Sequence, residues 1–104
     1  MALTPFRSIQ TSKGVKVADV VWCSDKFFKK HGIETPYTNA PEICIEVISP
    51  SNSEQEMKEK TQLYLDAGAI EVWLVPTQGS ISFFNKKGEL KSTSFGIEVT
   101  PLYI

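Results

Sequence analysis

Ala40–Pro76, APEICIEVISPSNSEQEMKEKTQLYLDAGAIEVWLVP, decides the fold. Ile43, Cys44, Ile45, Val47 and Ile48 are apolar and largely β-branched, the composition of a central strand. Glu46 interrupts that run, and a carboxylate there needs a partner, a metal or a place at the rim, because a buried unpaired charge is costly. Ser49-Pro50 turns the chain. Ser53 followed by Glu56 has the spacing of a capping box, which predicts a helix from Ser53 to about Ala67 with Gly68 as its stop. Met57, Thr61, Tyr64 and Gly68 form one stripe at helical spacing. Lys60 flanks that buried stripe, Lys58 lies on the other flank, and Glu56, four residues before Lys60, offers it an ordinary surface ion pair. Ile70–Val75 is a second apolar strand, stopped by Pro76. A strand, a helical crossover and a strand predict parallel, right-handed pairing.

Toward the N-terminus, Val15–Cys23 is a further strand. Alternation places Val15, Val17, Asp19 and Val21 on one face, so Asp19 is a second carboxylate in apolar company. Residues 1–14 read as an arm or edge strand that turns at Lys13-Gly14. Ser24 is placed to cap a short helix over Asp25–Lys30, with Gly32 as its stop, and residues 33–41 form a loop rich in Pro and Asn. Toward the C-terminus, Ser80–Asn85 and Leu90–Phe95 flank Lys86-Lys87-Gly88-Glu89 as a hairpin, and Ile97–Ile104 adds an edge strand containing Pro101. The fold class is α/β: a mixed sheet with few helices, a crossover helix near 53–67 and a C-terminal hairpin, in one domain spanning residues 1–104.

Composition narrows the function classes. Hydrophobic content of 41% and charged content of 22% are ordinary for a globular domain, and a net charge of −1 advertises no general attraction to nucleic acid or membranes. No apolar run approaches the roughly 20 residues of a spanning helix, and Met1–Gln10 lacks a secretory pattern, so the expected location is cytoplasmic. Cys23 and Cys44 read as buried, reduced thiols, since closely spaced ligand pairs are missing. His31, the single histidine, reads as a loop residue, which leaves little material for a Ser–His or Cys–His nucleophile.

The misplaced charges suggest one chemistry when joined. Asp19 and Glu46 on neighbouring strands would repel unless a proton or divalent cation lay between them, and oxygen ligands favour Mg2+ or Mn2+ over zinc. A lysine nearby, Lys60, could orient an attacking water or stabilise a pentavalent phosphate. These are the parts of metal-assisted phosphodiester hydrolysis.

The blocks VADVV (17–21), APEICIEVISPSNS (40–53) and KTQLYLDAGAIEVWLV (60–75) resemble the Uma-type family of restriction-endonuclease-like proteins, in the PD-(D/E)XK nuclease superfamily. The resemblance covers roughly residues 15–85. It implies a magnesium- or manganese-dependent DNA endonuclease. By position, Asp19 matches the aspartate of the P-D motif, with Ala18 in place of the proline, and Glu46 matches the acidic residue of (D/E)XK. Ile48 stands where that motif has its lysine, so the resemblance assigns the role to Lys60 on the following helix. It also implies the Val47 main-chain carbonyl as a further metal ligand, with Glu42, Ser49 and Tyr64 supporting the site. Two departures stand out. About 18 residues precede Asp19 where the family carries a longer N-terminal region with another acidic residue, and Pro76 replaces an aspartate. The shortened N-terminal side implies an uncovered sheet edge and hence a homodimer. The alternative is a nuclease-fold domain without catalysis, serving DNA binding or protein assembly, for which Lys26, Lys29, Lys30, Lys86 and Lys87 are the candidate phosphate contacts.

Overall fold

A computed structural model describes residues 2–32 and 34–96. The expected strand over Ile97–Ile104 lies outside the described residues. Six strands form one sheet in the order of the chain: β1 (Ala2–Thr11), β2 (Gly14–Cys23), β3 (Ile43–Ile48), β4 (Glu71–Pro76), β5 (Ser82–Asn85) and β6 (Gly88–Leu90). The β3–β4 pair is parallel, with Glu46 beside Leu74, and every other pairing is antiparallel. That parallel pair is the one joined by the crossover helix, α2 (Glu54–Asp66), as the sequence predicts. Pro76 closes β4 opposite Ile48 at the strand's end, where a missing N–H costs little.

Alternation sorts the central strands into two faces. Cys44, Val72 and Leu74 meet Met57, Tyr64 and Leu65 of α2, together with Ile9, Ala18, Val21 and Cys23. Ile43, Trp73 and Phe83 face the other way, where Trp22, Ile45, Leu90 and Phe95 pack over them. Burying each large apolar side chain contributes about 1.5–3 kcal/mol, so the helix is fixed by its inner stripe. Ser53 caps it in the expected capping box with Glu56, and Ala67 ends it before Gly68, whose φ of 118° favours glycine.

Several expectations change. The C-terminal hairpin is tighter than its alternation suggests: the turn is Lys86-Lys87 and β6 ends at Leu90, because residues 91–96 leave the sheet to cross its outer face. His31 belongs to the last turn of α1 (Asp25–His31), where its Nδ1 lies 3.1 Å from Glu34 Oε1 and its ring stacks near Phe27. β1 is one of the two edge strands among the described residues, and its free side is partly taken by Tyr37, whose main chain bonds Ser8 and Gln10. Pro5 and the left-handed Phe6 (φ 50°) further break that edge.

Candidate active site

β2 pairs with β3 only at Val20–Ile45, Val21–Cys44 and Trp22–Ile43. Past that point the next N–H of β3 on this side, that of Val47, donates instead to Asp19 Oδ2 at 2.8 Å. The Asp19 side chain thus ends the ladder and lies where the two strands part. The β1–β2 pairing also lapses here, at Phe6 and Asp19, while the same register resumes at Arg7–Ala18. This interruption explains a misread face. Val21 is buried, but Val15 and Val17 are about half exposed, so Asp19 has one buried valine for company and not three.

Glu46 projects from β3 onto the α2 side and is 3% exposed. Tyr64 Oη donates to its Oε1 at 2.7 Å, and Lys60 Nζ lies 3.2 Å from the same oxygen. Burial pushes the Glu46 carboxyl up, the Tyr64 hydrogen bond and the Lys60 charge oppose this, and Asp19 adds to the rise; the net direction is upward. Burial and the adjoining carboxylate hold the Tyr64 phenol far above its ordinary range, so it remains a donor. The Glu56–Lys60 pair, the ordinary alternative for Lys60, does not form: Glu56 Oε1 accepts from the Ser53 N–H and from Asn52, which leaves Lys60 to Glu46.

Asp19, Glu46, Lys60 and Tyr64 therefore converge, with the Val47 main chain between the carboxylates. Glu42 and Ser49 do not join them. Glu42 lies four residues up the strand, about 13 Å away, where it accepts from the Ser24 N–H and hydroxyl and anchors α1. Ser49 is spent in the turn before α2, bonded to Ser51 and Asn52. Cys23 and Cys44 are free and buried, and burial raises the thiol pKa of both.

The donor set suits a hard divalent cation. Two carboxylates stand within electrostatic reach of each other, and the rise in Glu46 comes chiefly from burial, with a smaller contribution from Asp19. Among the described residues no group of three Asp, Glu, His or Cys side chains converges, so the protein would offer two carboxylates and main-chain oxygen, in keeping with an ion that keeps several waters.

A second buried carboxylate is one the sequence reading does not single out. Glu71, fully buried on β4, accepts from Trp73 Nε1 (2.9 Å), Thr93 Oγ1 (2.7 Å), the Ser94 N–H (2.8 Å) and the Ser94 hydroxyl. It fastens residues 93–94 to the outer face, a structural role. The available signal was the one that exposed Glu46, a carboxylate inside an apolar strand.

Residues 4–101 match the Uma2 family, described as "Putative restriction endonuclease". In fold the chain is similar to a crystal structure described as "a putative nuclease belonging to DUF820" from Anabaena variabilis, at a TM-score of 0.69 and 14% identity. The superposition covers 94% of this chain and 59% of that one, so the chain spans little more than half of its structural relative. No curated protein matches the chain. Among the described residues no helix is long and apolar enough to cross a membrane.

Proposed function

The chain belongs to the Uma2 family, whose description and fold point to a restriction-endonuclease-like nuclease, and we propose that it is a divalent-metal-dependent DNA endonuclease. The observation that carries this reading is the convergence of Asp19, Glu46 and Lys60 at the point where β2 and β3 part. Asp19 and Glu46 would hold Mg2+ or Mn2+, with the Val47 carbonyl as a further ligand. The bound cation would supply Lewis-acid charge at the scissile phosphate. Tyr64 keeps the Glu46 carboxylate in one orientation through its buried hydroxyl. Lys60, 29% exposed in its side chain, can reach from Glu46 toward solvent, orient an attacking water and balance charge on the phosphate. The net reaction adds water across a P–O bond: its oxygen joins phosphorus and a proton ends on the departing ester oxygen.

One observation favours a second reading. Lys60 and Tyr64 already satisfy Glu46, so the group is also self-sufficient as a structural anchor between β3 and α2 in a DNA-binding or assembly domain without catalysis. Cleavage of plasmid and single-stranded DNA with Mg2+ or Mn2+ separates the two, comparing wild type with Glu46→Ala prepared identically. Metal-dependent cleavage lost in the variant supports the nuclease; intact DNA with both proteins supports the second reading. A cytoplasmic location and a homodimer remain part of the proposal. The dimer rests on Leu3, Phe6, Val15 and Val17, which β1 and β2 leave exposed, and a monomer at high concentration in sedimentation would remove it.

A further inference from the structure

We infer that Lys16 contacts a DNA phosphate adjacent to the one addressed by Asp19, Glu46 and Lys60; the inference rests on the nuclease reading and deepens it. β2 has ten residues, yet it pairs with β3 only over Val20–Trp22. Gly14–Asp19 and the β1 residues paired with them therefore run on past the end of β3, as an arm beside α2. A cleft of about 370 Å³ lies there, lined by Lys16 from the arm and by Glu56, Glu59, Lys60 and Leu63 from the helix. Lys60 joins this cleft to the Glu46 site.

The charges in the cleft are unevenly committed. Glu59 is held by Lys13 at 3.4 Å, and Glu56 is turned into the helix cap. Among the described residues the Lys16 side chain has neither an ion pair nor a hydrogen bond, so its ammonium is the uncommitted cation of the cleft. Three residues separate it from Asp19, about 10 Å of extended strand, and its four-carbon stem adds reach. That separation suits a neighbouring phosphate and not the reacting one. A backbone contact of this kind positions DNA without reading its sequence.

The test uses the full chain as wild type, Lys16→Ala, Lys16→Gln and Lys16→Arg, with circular dichroism to confirm the fold. A short labelled duplex is titrated across a salt series in Ca2+, and cleavage is followed with Mn2+. Neutralising Lys16 is expected to make the plot of log affinity against log salt shallower by about 1, independently of sequence. KM should rise roughly three- to tenfold, with a smaller change in turnover at saturating DNA, and Lys16→Arg should restore binding. Unchanged slope and KM in both neutral variants would overturn the inference, leaving the nuclease reading intact. Salt-sensitive binding weakened by both variants, in a protein that never cleaves, would support the Lys16 contact while overturning the nuclease reading. A wild type that neither binds nor cleaves overturns both.

Discussion

The Lys60 ammonium lies 3.2 Å from Glu46 Oε1, joining α2 to the strand that precedes it where the strand's inner face carries a charge. Fourteen residues separate the two in sequence, and the helical crossover is what closes that distance. Lys60→Ala should therefore act twice. Glu46 would keep its Tyr64 hydrogen bond but lose its cation, so its carboxyl should rise further above the ordinary range. Stability should fall by roughly 1–2 kcal/mol, less than for a fully buried pair because Lys60 is partly solvated. Cleavage should fall on the order of 10²-fold or more. Urea denaturation and single-turnover cleavage check the two effects separately.

Tyr64→Phe removes the hydroxyl that donates to Glu46 at 2.7 Å and keeps the buried ring. Losing a hydrogen bond to a charged acceptor should cost about 1.5–3 kcal/mol. Because the hydroxyl orients an expected metal ligand, Mn2+ affinity should weaken about 10- to 100-fold by calorimetry. Stability loss with unchanged Mn2+ affinity would assign Tyr64 to the fold alone.

Glu71 and Glu46 should give opposite dependences on pH in metal-free protein. Burial alone raises the Glu71 carboxyl, but its hydrogen bonds from Ser94, Thr93 and Trp73 outweigh that and hold it below the ordinary value. A depressed carboxyl contributes stability above the unfolded pKa, about 4.3, and loses it as pH falls through the folded pKa. Wild type should therefore exceed Glu71→Gln most at neutral pH, with the gap narrowing below about pH 4.3. Glu46 is raised, so the stability from its shift is present below the unfolded pKa and is lost as pH rises through the folded one. Glu46→Gln should accordingly gain on wild type as pH rises. Denaturation midpoints across pH decide both signs.

The sequence exposes a residue of this site when the anomaly and its remedy are local. Glu46 stands out because a charge interrupts β-branched neighbours, and Lys60 follows from helical spacing against a capped start. Asp19 does lie against β3, beside Val47, but not in the company of three buried valines that alternation predicts. Strand alternation assumes a flat, covered strand, whereas the outer half of β2 runs past β3 and exposes Val15 and Val17. Glu42 resembles a site carboxylate until Ser24, eighteen residues earlier, is seen to occupy it. Glu71 carries the same signal as Glu46, but its partners Thr93 and Ser94 lie on a segment with no periodicity to bring them back to the sheet. Contacts of that kind depend on tertiary packing and leave no local pattern.

The resemblance sets Ile48 at the place of the (D/E)XK lysine, and a substitution there tests that assignment. Ile48 follows Glu46 by two residues, so both side chains leave β3 on the α2 side, and Ile48 is only partly buried. A lysine there could lie along its apolar stem and bring its ammonium beside Glu46. Ile48→Lys combined with Lys60→Ala should therefore recover part of the cleavage lost in Lys60→Ala, by roughly tenfold, and lower the Glu46 carboxyl again. Recovery will be incomplete, because Ile48 packs against the core and its replacement by lysine should cost about 1–3 kcal/mol. Ile48→Lys alone should lose stability without gaining activity, since Lys60 already holds the position. If the double variant folds and binds Mn2+ but cleaves no better than Lys60→Ala, a cation beside Glu46 is not sufficient, and the lysine must act from the cleft that Lys60 shares with Lys16.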